Sequence, residues 1–150
     1  MNYMKEHKVK NIFVKGAITP EKIAQSIANH QTKTGIGAHD IFLGQVRADE
    51  IEGKNVSAIE FTAQEDMANT VCHEIRETVF AKYPLHCMHI YHSLGKVNVG
   101  EICFFVFVSS AHREGVFDSL PFLVNEIKAK IPIFGKEIFE DETHQWKLNK

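Results

Sequence analysis

The side chains best suited to chemistry in this 150-residue chain are cations, and they fall in three distant stretches. Ser109-Ser110-Ala111-His112-Arg113 follows a strongly apolar run and precedes a helical pattern. A helix start offers unpaired N–H groups and partial positive charge. Arg113, placed near the third helical position, and His112 before it suit an anion held at that helix end. A surface Arg113 paired with Glu114 explains the same residues equally well. Phe42-Leu43-Gly44-Gln45-Val46-Arg47 sets a second cation at a strand end, where Gly44 signals a bulge or a close backbone approach. Lys128, Lys130 and Lys136 flank Ile131-Pro132-Ile133-Phe134-Gly135. Lysines in the last turn of a helix are favoured by its dipole alone, whereas a lysine inside a pocket could act as an acid, base or nucleophile.

Other constellations carry less. His86, Cys87, His89 and His92 invite a metal reading. Strand alternation separates His89 from His86 and His92, so their rings do not converge, and histidines in a half-polar strand are the better reading. Cys72, Cys87 and Cys103 are odd in number, lack a C-x-x-C spacing and have apolar or aromatic neighbours, as buried thiols do. The chain has no phosphate-loop, dinucleotide, zinc-protease or serine-hydrolase motif.

The elements that must position these residues follow from periodicity. Asn11–Gly16 reads as a strand, and Thr19-Pro20 caps a helix ending near Gln31. Ile41–Val46 and Val56–Thr62 read as strands around a polar turn from Ala48 to Lys54, in which Glu52-Gly53-Lys54 suits a hairpin or bulged loop. Met67, Val71, Ile75 and Val79 mark a helix over Ala63–Lys82, which Pro84 ends. Cys87–Ser93 is a strand, followed by a connecting turn over Gly95–Gly100. Glu101–Ser109 is apolar on both faces, as in the middle of a covered sheet. Ser110 can cap a helix running to about Lys130, with Pro121 as a kink or break. Ile133–Glu140 is a last strand and Asp141–Lys150 a polar tail. The order β-α-β-β-α-β-β-α-β predicts an α+β fold, helices on a mostly antiparallel sheet, in one domain over residues 1–150.

Composition narrows the function classes. The net charge of −2, from 17 Lys+Arg and 19 Asp+Glu, lacks the basic excess of a nucleic-acid binder. The polar, basic N-terminus is followed by no apolar signal segment. The longest apolar run, Ile102–Val108, is far short of the roughly 20 residues of a membrane helix. These features predict a cytoplasmic protein that binds neither membrane nor nucleic acid.

Taken together, the F-L-G-Q-V-R segment, the S-S-A-H-R step, Lys128-Ala129-Lys130-Ile131-Pro132-Ile133-Phe134 with Lys136-Glu137, and Trp146 resemble the large, catalytic subunits of molybdopterin synthases. The resemblance runs from about His39 to Trp146. It implies an α/β hammerhead, an α+β sandwich with an inserted hairpin-rich subdomain. It implies a homodimer within a heterotetramer, each large subunit binding a small ubiquitin-like carrier whose Gly-Gly end bears a thiocarboxylate. The implied reaction installs two sulfurs on cyclic pyranopterin monophosphate (precursor Z) as a dithiolene, with no metal or separate cofactor. Carried over by position, Arg47, His112 and Arg113 resemble residues that hold the anionic substrate. Gln45 and Val46 share that segment, and Phe42 matches an aromatic near the pocket. Lys128 resembles the pocket lysine that meets the carrier's C-terminus, and Lys136 and Glu137 fall in a second basic segment. The family often has lysine where this chain has Gly135, with Lys136 next, and Lys150 only approximates a basic tail position. Gly135 therefore leaves an alternative, a non-enzymatic anion-binding scaffold docking a ubiquitin-like partner. A small RNA-binding domain is a third reading, disfavoured by the charge.

Overall fold

The computed structural model describes residues 8–148. Strand β1 (Phe13–Lys15) leads to helix α1 (Pro20–His30), then strands β2 (Ala38–Gln45), β3 (Glu50–Ile51) and β4 (Lys54–Ala63). Helix α2 (Glu65–Lys82), strands β5 (Leu85–Asn98) and β6 (Ile102–Ser110), helix α3 (Arg113–Lys130) and strands β7 (Ile133–Phe139) and β8 (His144–Trp146) complete it. The main path of the sheet is β2-β6-β5-β4-β7-β8. All its ladders are antiparallel except the pairing of β1 with β5. The α+β class expected from the element order is the class observed.

Strand β6 organises the layers. Its alternation sends Phe104, Val106 and Val108 into one core with α2 and α3, which contribute Cys72, Ile75 and Val79, and Val116, Leu123 and Ile127. Phe105 and Phe107 face the other way, into a smaller cluster with Ile18, Ile23 and Tyr91 beneath α1. Helix α1 starts as its residues dictate. Thr19 Oγ1 accepts the Lys22 N–H at 3.2 Å, and Pro20 occupies the first helical position, where no N–H is needed.

Four boundaries differ from the expectation. Strand β5 continues through Gly95, whose φ of +83° suits glycine, and turns only at Gly100. Its first half pairs with β6 and its second half with β4. The polar turn after β2 contains a short strand, and Glu52 and Gly53, with φ of 51° and 80°, join β3 to β4. The polar tail forms β8, held on β7. Helix α3 begins at Arg113, with His112 as its cap residue, because Ser110 is the last residue of β6 and its hydroxyl donates to the His112 carbonyl. Arg113 is thus the first helical residue, not the third. The helix passes unbroken through Pro121, which lies on its exposed side. Among the described residues, no helix is long and apolar enough to cross a membrane.

Candidate functional site

A cavity of about 1080 Å³ opens where the ends of β2 and α3 meet β7 and β8. The C-terminal end of β2 supplies Phe42, Gln45, Val46 and Arg47 to its wall. Gly44 makes this possible in two ways: the ladder to β6 slips at Gly44/Gln45, and a Cβ on Gly44 would stand 3.0 Å from Phe104 Cβ. The Phe42 and Phe104 rings meet edge-on, 5.7 Å apart. Phe104 also lies 5.3 Å from the His92 ring, which stands 4.9 Å from Phe61. Phe42, Phe61, His92 and Phe104 thus line the cavity as a run of edge-to-face and tilted rings.

Lys128, in the last turn of α3, lines this cavity with its Nζ 5.6 Å from the centre of the Phe104 ring. That distance permits a cation–π contact. Arg47 stands at the rim, 73% exposed, with Nη2 3.3 Å from Asp49 Oδ2. Exposed pairs of this kind are weak, so an incoming anion could displace Asp49. Lys130 also reaches the wall, but its Nζ donates to Glu126 Oε1 at 2.7 Å. Glu137 is buried in the wall and accepts a hydrogen bond from Gln145 Nε2 at 3.1 Å. Cys103 lies there too, and burial pushes its thiol pKa up, which keeps it protonated and a poor nucleophile. His92 is held neutral, its pKa lowered to about 4 chiefly by burial.

The structure thus gathers Phe42, Gln45, Val46, Arg47, Lys128, Gly135 and Glu137 around one hollow. Lys136 does not join them. Strand alternation turns it away from the face shared by Gly135 and Glu137, and its Nζ pairs with Glu60 Oε1 at 3.0 Å. His112 and Arg113 are exposed at the opposite end of α3 from Lys128. Fifteen residues of helix between Arg113 and Lys128 amount to about 22 Å. Lys150 lies outside the described residues. Lys147 lines the hollow and was not among the residues singled out by sequence.

His30, Cys87 and His89 form a second cluster, their donor atoms within 4.8 Å of one another. It is assembled from α1 and β5 and therefore has no local spacing. His30 Nδ1–H donates to the Ser26 carbonyl at 2.6 Å, which leaves Nε2 to accept from His89 Nε2–H at 2.8 Å. The Lys33 ammonium donates to Cys87 Sγ at 3.2 Å. Burial, then His30, Lys10, Arg76 and Lys33, hold His89 at about 4. The donor atoms of the cluster already bond within the protein, so it is described as a hydrogen-bonded histidine pair beside Cys87.

The model of the MoaE protein family matches residues 15–130, and the chain belongs to that family. It is similar to the molybdopterin synthase catalytic subunit of Rattus norvegicus, 37% identical over 114 residues, covering 76% of this chain and 56% of that protein. The chain thus spans little more than half of that relative's length. The crystal structure of molybdopterin synthase from Staphylococcus aureus superposes with a TM-score of 0.79 at 26% identity, covering 94% of this chain and 99% of that one. A complex of subunits 1 and 2 of the molybdopterin-converting factor from Helicobacter pylori gives a TM-score of 0.79 at 17% identity, covering 92% and 90%, and shares the fold.

Proposed function

We propose that this chain is the catalytic subunit of a cytoplasmic molybdopterin synthase, which transfers sulfur from a thiocarboxylated ubiquitin-like carrier to cyclic pyranopterin monophosphate. The observation that carries the reading is the aromatic-lined cavity with Lys128 inside and Arg47 at its rim. A pterin packs against Phe42 at the aromatic wall, its phosphate meets guanidinium, and the carrier's tail enters the open side. The thiocarboxylate sulfur attacks an oxygen-bearing carbon of the pterin's side ring and the C–O bond there breaks, its oxygen leaving on phosphate or as water; water then cleaves the acyl–sulfur bond, which returns the carrier as a carboxylate and leaves the sulfur on the pterin as a thiolate. Lys128 stabilises the negative charge that develops on the acyl oxygen in that cleavage. Two such transfers complete the dithiolene.

His112 and Arg113 enter this scheme from a second copy of the chain, because a single copy holds them about 22 Å of helix away from Lys128. The proposed assembly is a homodimer of these chains with one carrier bound to each. The test is reconstitution: the purified chain, thiocarboxylated carrier and precursor Z are mixed and dithiolene product is measured. Lys128→Ala is expected to abolish product while still retaining carrier in a pull-down. Full activity of that variant refutes the role given to Lys128.

A further inference from the structure

We infer that Lys147 is a second anion-holding cation of the cavity, standing on the face where Gly135 leaves no side chain. The inference deepens the proposed function and rests on it for the identity of the anion. Strand β8 pairs with β7 at Lys136↔Trp146 and Glu137↔Gln145, and the Lys147 N–H donates to the Gly135 carbonyl at 2.7 Å. Lys147 therefore stands directly across from Gly135. Residues opposite one another in an antiparallel pair project to the same face, their Cβ atoms about 5 Å apart. For Gly135 and Lys147 that face is the cavity wall, which both residues line.

Gly135 has a packing reason to lack a side chain. A Cβ there would stand 3.1 Å from Ile59 Cγ2 and 3.4 Å from Phe61 Cε1, on the cavity wall. Space is thus kept open beside the lysine of the neighbouring strand. The fields of Lys128 and Lys147 also converge, since both act on the Cys103 thiol within the same hollow. Two further lysines nearby pair with carboxylates, Lys130 with Glu126 and Lys136 with Glu60. An anionic group entering between β6 and β8 meets Lys128 from the helix side and Lys147 from the strand side. The ligand class is a phosphate or a carboxyl-type terminus.

Trp146, the single tryptophan of the chain, lines the same cavity and reports binding without any turnover. Inorganic phosphate and a thiocarboxylated carrier are each titrated against the full chain by Trp146 fluorescence, and product formation is measured in parallel. Lys147→Ala is expected to weaken binding of at least one of the two anions about tenfold, and to slow product formation by about ten- to a hundredfold. Lys147→Arg, which keeps the charge, is expected to stay near the parent in both. Unchanged binding of both anions in Lys147→Ala overturns the inference. Loss of binding in Lys147→Arg as severe as in Lys147→Ala overturns it too, because shape and not charge is then at work. Lys147-dependent binding with no product from the parent chain upholds the inference and refutes the synthase reading instead.

Discussion

Burial decides the state of His92 before any ligand arrives. The ring donates through Nδ1 to the Ser93 carbonyl at 2.9 Å, and desolvation holds its pKa at about 4 against 6.5 for the free side chain. A base whose pKa is depressed by folding binds fewer protons folded than unfolded. Its contribution to stability is intact above about pH 6.5 and is lost as the pH falls towards 4, with about 3 kcal/mol at stake. Urea midpoints measured between pH 7 and 4 should fall steeply for the parent and less steeply for His92→Phe. A slope remains from His89, which titrates in the same window. An equal fall in both proteins would assign the acid sensitivity to other groups. What the sequence shows of such residues is uneven. Arg47 and Lys128 are recognisable because each ends an element. Lys147 is not, because its position follows from an unpredicted strand and from a glycine across the ladder.

At the scale of elements, the connection between α1 and β2 packs against the turn that precedes α3. The Gly37 N–H donates to the Ser110 carbonyl at 3.0 Å, and a Cβ at Gly37 would overlap the Ala111 carbonyl oxygen. Backbone cannot retreat as a flexible side chain does. Gly37→Ala is therefore expected to cost about 2 kcal/mol, read as a lower denaturation midpoint with an unchanged m-value. A midpoint equal to the parent's would show that the turn adjusts. Elements with strong internal signals were legible: β6 from its two apolar faces, α1 from Thr19-Pro20, and α2 from the stripe Met67 to Val79. Two of the elements carry no such signal. Strand β8 consists of three exposed residues held only by their partner strand, and β3 is two residues long. The second half of β5 was obscured by Gly95, which reads as a turn residue but bends a strand that goes on.

At the scale of the whole molecule, the two groups of cations lie at opposite ends of α3. A site that uses both requires two chains, and this can be tested by mixing. Lys128→Ala and Arg113→Ala, each inactive alone, are co-refolded in equal amounts. If each site draws on both copies, half the dimers are mixed, and each of those has one intact site, so about a quarter of the parent activity returns. No recovery, with mixed dimers verified by mass, would show that Arg113 acts within its own copy. The carrier proposed as a partner lies beyond one chain's pattern, and only the resemblance of several motifs together points to it. Strand β5 has a consequence for the molecule as a whole. Its residues Leu85–His92 bond to β6 and its residues Gly95–Asn98 bond to β4, so the two sides of the sheet share one continuous backbone while their ladders use separate residues. The cavity takes Phe104 from one side of that strand and Ile59 and Phe61 from the other, so its shape depends on a backbone that runs unbroken between the two ladders.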